Sequence, residues 1–234
     1  MKRTALRLVK FDSMQGSTTR YTWGEANAYE LALSLNRGAY LSHGTAVYLH
    51  GLSEQIFKKI YVNHEQNPKM ATKESLSQKD IDAAFARPAR TSNNIFRVPD
   101  FEIVSINGKY TGRLEVESTR GPNDSKLEVT KLERTLIDIT VRPLYAGGVV
   151  QVLEAFKKSQ ANMSINILLA TLKRLDYAYP YHQCIGFYME RAGYEKSRIE
   201  YVKAMPMRFD FYLTNEMAKP SYDAKWRLFY PGGM

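Results

Sequence analysis

The spacing of the apolar residues changes along this 234-residue chain, and the change limits the folds that it can adopt. Before Val129, most apolar runs are short and follow the two-residue period of β-strands. After Gly147, apolar residues recur at intervals of three and four, which is typical of helices with one buried face. The pattern predicts an α+β fold: a mixed, largely antiparallel sheet packed with helices, with a helical block near the C-terminus.

The chain divides where the pattern changes. Residues 1–146 are predicted to form an α+β core, and residues 147–234 a helical block with closing strands. The length and the 44% hydrophobic composition suit one large domain or two small ones. We therefore expect the two segments to pack on the same core as one domain.

Short local signals place several elements within these segments. The dipeptide Asn107-Gly108 predicts a type I′ hairpin turn between strands at residues 101–106 and 110–117, because both central residues of that turn need positive φ. The spacing across Thr130–Glu133 predicts a capping box at the start of a helix. Serine N-caps are predicted for three further helices, at Ser42, Ser77 and Ser164. Two closing strands are predicted at residues 207–213 and 225–230.

Composition excludes several classes of protein. Charged residues make up 24% of the chain, and glycine and proline are not enriched, which excludes collagen-like and disordered classes. The single Cys184 rules out a disulfide framework and a zinc site built from cysteines. No window approaches the length of apolar sequence that a membrane helix needs. We expect a cytoplasmic protein that neither is secreted nor spans a membrane.

The charge balance points to an anionic partner. The chain has 33 basic and 24 acidic residues, a net charge of +9, and the excess is spread along the chain rather than gathered in a tail. Several tyrosines lie close to basic residues, a combination that suits base stacking and phosphate pairing but also serves core and interface packing. A solvated basic exterior without a ligand is the simpler alternative. The candidate nucleic-acid contacts are Lys58, Lys59, Lys157, Lys158, Lys173 and Arg174.

Motifs for catalysis are scarce. The sequence has no glycine-rich nucleotide loop and no nucleophile elbow. His43 and His50 are seven residues apart, about two helical turns, which is too far to share a metal ion, so we expect them to bond to backbone near helix ends. Glu133 and Asp138 are an awkward distance apart for a catalytic pair, and a cap plus an Arg134–Asp138 ion pair is the favoured interpretation. We expect no metal and no cofactor.

Two segments about eighty residues apart carry a family resemblance. The first runs from Tyr40 through Ser42-His43 to His50-Gly51-Leu52, and the second is Lys131-Leu132-Glu133-Arg134-Thr135-Leu136-Ile137-Asp138. Arg142-Pro143 and Ala146-Gly147-Gly148 follow. With these segments, the chain resembles the AbiEi family, the antitoxins of type IV toxin–antitoxin systems in abortive-infection phage defence. The likeness extends from about Tyr21 to Phe229.

The resemblance implies a non-enzymatic protein encoded beside a nucleotidyltransferase-like toxin, which it counteracts, and which represses its own operon by binding DNA. The motif positions that carry over, with an architectural role, are Ser42, His43, His50, Gly51, Glu133, Arg134, Thr135 and Asp138. Family members have an N-terminal winged helix-turn-helix ahead of the antitoxin domain. Here only about 18 residues, which resemble a strand, precede the matching region. We therefore expect the antitoxin domain alone, with DNA binding that is nonspecific.

Three other interpretations remain open at this point. One is a metal-dependent nucleic-acid-processing enzyme that uses Glu133 and Asp138. Another is a protein-interaction module with a tyrosine-rich surface. The third is specific DNA reading by the helix predicted from Ser164 to Asp176, which carries Lys173 and Arg174.

Overall fold

A computed structural model describes residues 5–54, 58–68 and 76–234. The strands in these ranges are β1 (Leu6–Ser13), β2 (Gly16–Trp23), β3 (Tyr40–Leu41), β4 (Lys59–Glu65), β5 (Ile95–Val98), β6 (Phe101–Gly108), β7 (Val116–Arg120), β8 (Lys126–Thr130), β9 (Phe211–Tyr212), β10 (Pro220–Asp223) and β11 (Leu228–Pro231). The helices are α1 (Ala28–Leu33), α2 (His43–Leu49), α3 (Gln78–Phe85), α4 (Leu132–Val141), α5 (Val149–Ser159), α6 (Ile165–Leu175), α7 (Tyr181–Arg191) and α8 (Lys196–Lys203). Within the described ranges, none of these helices has both the length and the apolar character that a membrane crossing requires.

One mixed sheet contains the first eight strands, in the order β2-β1-β5-β6-β4-β3-β8-β7. Neighbouring strands are antiparallel except at two places, where β4 pairs with β6 and β3 pairs with β8 in parallel. The last three strands form a small sheet, in the order β10-β11-β9. The predicted α+β class, with a largely antiparallel mixed sheet and a helical block towards the C-terminus, is confirmed.

Helix α4 lies at the centre of the molecule. Eight of its ten residues are buried, and it packs against α2, α5, α6 and α7. The largest buried cluster combines Leu136 and Ile137 of α4 with Val152 and Phe156 of α5 and with residues of the small sheet. The hydrophobic core is therefore continuous across position 146, where the sequence pattern changes.

The hairpin predicted at Asn107-Gly108 is wrong. β6 ends at Gly108 and pairs with β5 and, in parallel, with β4, whereas β7 begins only at Val116 and pairs with β8. Neither Asn107 nor Gly108 has a positive φ. Glycine is required at position 108 for space, because a Cβ atom there would overlap the side chain of Asn63 on the neighbouring strand. The glycine thus permits a close approach between parallel strands and does not form a turn.

The capping box predicted across Thr130–Glu133 is also wrong. The N-cap of α4 is Lys131, whose side chain makes no capping bond. Thr130 Oγ1 lies instead 2.8 Å from the hydroxyl oxygen of Thr135, which is a residue of α4. The carboxylate of Glu133 accepts a hydrogen bond from the N–H of Ser164, at the start of α6. Thr130 therefore bonds within the first turns of α4 and Glu133 bonds to the start of α6, so neither side chain closes the capping box.

Two of the three predicted serine caps are confirmed. Ser77 accepts a hydrogen bond from the N–H of Asp80 and forms a full capping box with it, and Ser164 accepts from the N–H of Ile167. Ser42 occupies the N-cap position of α2, but its hydroxyl makes no capping bond.

The closing strands are shorter than predicted. Only Phe211–Tyr212 of residues 207–213 is a strand, and the predicted strand at 225–230 begins at Leu228 and ends at Pro231. No strand was predicted at β10, which pairs antiparallel with β11. Pro220 and Pro231 face each other at the end of this pair, where a strand is able to tolerate a missing N–H donor.

Candidate functional site

The motif on α4 forms a buried ion pair. Arg134 Nε lies 2.8 Å from Asp138 Oδ1, and each side chain is only 5% exposed. Arg134 Nη1 also donates to the carbonyl oxygen of Leu114 at 2.8 Å, which fixes the loop that leads to β7. Burial opposes the charge on Arg134, but Asp138, together with Tyr40 and Tyr177, outweighs it and raises the pKa of the guanidinium. The predicted Arg134–Asp138 pair is confirmed.

The other motif residues on α4 connect it to neighbouring elements. Glu133 Oε1 accepts a hydrogen bond from the N–H of Ser164 at 2.7 Å, which ties α4 to the start of α6. The hydroxyl of Thr135 donates to the carbonyl oxygen of Thr130 at 3.0 Å, and His50 Nε2 lies 2.7 Å from the same oxygen. The backbone contact predicted for His50 is therefore confirmed, and these side chains join the sheet to the helices.

His43 differs from the prediction made for it. Its Nδ1 lies 2.9 Å from Ser42 Oγ, not from backbone, and its ring meets the Tyr145 ring edge-on at 5.3 Å. Burial lowers the pKa of His43 to about 4, so the imidazole is neutral at neutral pH. Its φ of 50° lies in the left-handed region, which is uncommon for a residue other than glycine. At the other end of α2, Gly51 has a φ of 69°, as expected for a helix stop.

The carboxylates proposed for metal chemistry have separate partners. Glu133 faces α6 and Asp138 faces Arg134. In the part of the chain that the structure describes, no three His, Cys, Asp or Glu side chains form a group suited to a metal ion. This arrangement favours the architectural interpretation of the motif.

A small polar cavity of about 90 Å³ lies beside the Arg134–Asp138 pair. A larger cleft of about 650 Å³ shares Lys109, Val141, Arg142 and Tyr177 with it, so the two adjoin. The cationic residues that line this cleft are Arg87, Arg90, Lys109 and Arg142, and the aromatic ones are Phe85, Tyr145, Tyr177, Tyr179 and Tyr181. We call it the basic cleft. Except for Arg142, its cations belong to no motif in the sequence, and they come together only through folding.

One wall of the basic cleft is the segment 176–181, which we call the tyrosine loop. Lys109 Nζ donates to the carbonyl oxygens of Leu175 and Asp176, both at 2.7 Å, and lies 5.6 Å from the centre of the Tyr177 ring. These bonds satisfy carbonyl groups at the end of α6 and hold the loop in place. On its other side is a hollow of about 520 Å³ lined by residues that include Lys173 and Arg208.

The six cations predicted to contact nucleic acid fall into two groups. Three are in ion pairs: Lys59 with Glu102 at 3.7 Å, Lys157 with Glu154 at 2.8 Å and Lys158 with Glu54 at 3.1 Å. Lys58, Lys173 and Arg174 are exposed, and no carboxylate of the described residues forms an ion pair with them. Lys58 and Lys59 line one hollow of the surface, and Lys173 lines another. Lys173 and Arg174 lie at the end of α6, next to the tyrosine loop.

Comparison with known proteins adds evidence about the fold. No family model matches the chain, and no curated protein matches it. The crystal structure of the Rv2827c protein from Mycobacterium tuberculosis is similar, with a TM-score of 0.57 and 15% sequence identity over 93% of this chain and 73% of that chain. A likeness at this level of identity shows a shared fold.

Proposed function

We propose that this chain is a non-enzymatic antitoxin of a type IV toxin–antitoxin system. It counteracts a nucleotidyltransferase-like toxin and binds nucleic acid through phosphate contacts. The observation that carries the proposal is that the motif side chains are engaged in bonds that join α4 to the sheet and to α6. Groups held in this way stabilise a domain and are not poised to attack a substrate. The activity therefore belongs to the surface of the domain.

The surface supports phosphate binding next to the tyrosine loop. Lys173 and Arg174 are exposed on the last turn of α6, and the described residues offer them no ion-pair partner. A cation without a partner gains more from a phosphate than one that must first leave a carboxylate. Binding of this kind follows the phosphate backbone and carries no base sequence information.

The proposed compartment is the cytoplasm. Cys184 is a free, buried thiol, and burial raises its pKa, which makes it unreactive. A chain with one such cysteine suits a reducing environment.

Co-expression tests the antitoxin activity. Cells that carry an inducible nucleotidyltransferase toxin from the neighbouring gene should regain growth when the complete chain is expressed with it. Soluble expression of the chain at the toxin's level is the control. Persistent toxicity under these conditions would contradict the proposal, as would Mg²⁺-dependent nuclease activity that disappears in Glu133→Ala.

Salt dependence tests the nucleic-acid contact. We expect binding to duplex DNA to weaken steeply with salt, with equal affinity for unrelated sequences. The double variant Lys173→Ala/Arg174→Ala should reduce the slope of log K against log salt by about 2, since each lost phosphate contact removes about 1. Lys157→Ala/Lys158→Ala makes the same charge change at paired lysines and should reduce it less. Tight binding to one sequence at high salt would instead indicate base reading by α6.

A further inference from the structure

The basic cleft holds cationic side chains that the described residues leave without partners. Arg87, Arg90 and Arg142 are exposed, and none of their guanidinium groups has a hydrogen bond or an ion pair within the described residues. Arg142 lies over the Tyr145 ring at 5.8 Å, and Lys109 is bonded to the tyrosine loop. Asp176 is the one acidic residue among the described residues that line the cleft. Among the described residues that line the cleft, basic side chains therefore outnumber acidic ones four to one.

The same cleft has aromatic walls. Arg142 lies over the Tyr145 ring and Lys109 over the Tyr177 ring. Tyr179 stacks on Phe211 and meets Phe85 edge-on. These contacts fix the Tyr179 ring against the core. Tyr145 and Tyr181 are buried, whereas Tyr177 and Tyr179 are half-buried. The last two rings therefore offer a stacking surface with little loss of side-chain entropy on binding.

Size and chemistry together select the ligand class. A cleft of about 650 Å³ is far larger than an inorganic phosphate needs and falls in the range for drug-sized ligands. Guanidinium groups pair with phosphate oxygens, the tyrosines suit a flat heterocycle, and a carboxylate such as Asp176 accepts hydrogen bonds from ribose hydroxyls. An acidic peptide would satisfy the arginines but would leave the aromatic walls unused.

We propose that the basic cleft binds a nucleoside phosphate, with its phosphate paired with Arg87, Arg90 and Arg142 and its base against the half-buried Tyr177 and Tyr179. The ligand is either a free nucleotide or the terminal nucleotide of a single strand. This site is separate from Lys173 and Arg174, and it does not depend on the antitoxin proposal, because a chain that fails to suppress a toxin is still able to bind a nucleotide.

Calorimetric titration of the purified complete chain tests the site. AMP, GTP and ATP are the probes, with adenosine and inorganic phosphate as partial ligands and polyglutamate as a polyanion without a base. We expect saturable binding of the nucleotides and much weaker binding of the other three. Arg142→Gln should weaken nucleotide binding about tenfold or more, since a hydrogen bond to a charged group contributes about 1.5–3 kcal/mol.

Arg120→Gln is the matched control. It removes the same charge from a side chain that is 88% exposed at the end of β7 and lines no part of the cleft, so it should leave nucleotide affinity unchanged. Competition by a single-stranded hexanucleotide with and without a 5′-phosphate identifies the source: displacement of AMP only by the phosphorylated strand indicates strand ends, and no displacement indicates free nucleotides.

Three results would overturn the proposal. One is the absence of saturable binding for every nucleotide and for the phosphorylated strand. Another is an Arg142→Gln chain that binds AMP as tightly as the Arg120→Gln chain, and the third is polyglutamate binding that equals nucleotide binding. A melting temperature for Arg142→Gln within a few degrees of the unsubstituted chain shows that a loss of binding comes from the lost contact.

Discussion

Replacement of Asp138 by alanine tests whether the motif ion pair holds the core together. The substitution removes the carboxylate that lies 2.8 Å from Arg134 Nε. Arg134 keeps its hydrogen bond to the Leu114 carbonyl, but its charge remains buried without this counter-ion. Because the Arg134 side chain is only 5% exposed, the uncompensated charge remains largely desolvated.

The magnitude follows from the burial of the pair. Removal of one partner of a buried ion pair costs about 3–5 kcal/mol, since the remaining charge stays desolvated. For a chain of this length, 1 kcal/mol corresponds to about 2–4 °C in melting temperature. We therefore expect Asp138→Ala to lower the melting temperature by about 6–20 °C.

Thermal unfolding followed by circular dichroism measures the effect. Glu154→Ala is the control, because it removes the carboxylate of a helical ion pair whose two side chains are both 44% exposed. Exposed pairs of this kind contribute about 0.5 kcal/mol, or about 1–2 °C. The double variant Arg134→Met/Asp138→Leu removes both charges and should recover much of the stability that Asp138→Ala loses.

Equal losses in Asp138→Ala and Glu154→Ala would refute this reasoning, since the buried pair would then contribute no more than a surface pair. A double variant that is less stable than Asp138→Ala would show that the charges themselves stabilise the core.

Three further predictions concern other buried positions. Burial lowers the pKa of His43 to about 4, from an ordinary 6.5, so between these pH values only the unfolded chain binds the proton. The free energy of unfolding should therefore decrease by about 3 kcal/mol as the pH falls from 6.5 to 4, and His43→Asn should remove much of this decrease. A Cβ at Gly186 would overlap the Trp226 ring, so Gly186→Ala should lower the free energy of unfolding, measured in urea, by about 1–3 kcal/mol. Addition of Trp226→Phe should recover part of this loss, and a Gly186→Ala chain as stable as the unsubstituted one would contradict the packing. Gly108→Ala should lose a similar amount against Asn63, whereas a change at the exposed neighbouring position 107 should be nearly neutral.

The features that were predicted best from the sequence are those that depend on residues within one helical turn of each other. The caps at Ser77 and Ser164 are determined by a hydroxyl and an N–H group a few residues away, and the end of α4 by Pro143, which directly follows its C-cap residue. These groups meet in any fold that contains the helix. The fold class was predictable for a related reason, because each period of apolar residues belongs to one type of element.

Pairing between distant strands was not predictable in the same way. Asn107-Gly108 has the composition of a hairpin turn, but β6 pairs with β4 across about forty residues of sequence. The glycine serves the contact with Asn63, and nothing near it in the sequence shows that contact. The basic cleft was missed for the same reason, since Arg87, Lys109 and Arg142 meet only after the sheet and α4 have packed.

The two sets of charged residues differ in what they do to stability, and this difference separates structure from binding. Arg134 and Asp138 compensate each other inside the core, so loss of either charge destabilises the fold. Arg87, Arg90 and Arg142 gather like charge in one cleft, and like charges repel until an anion enters. Neutralising one of them should therefore leave the melting temperature unchanged or raise it, while binding is lost. The net charge of +9 does not distinguish structural cations from binding cations, whereas the partners of each cation do.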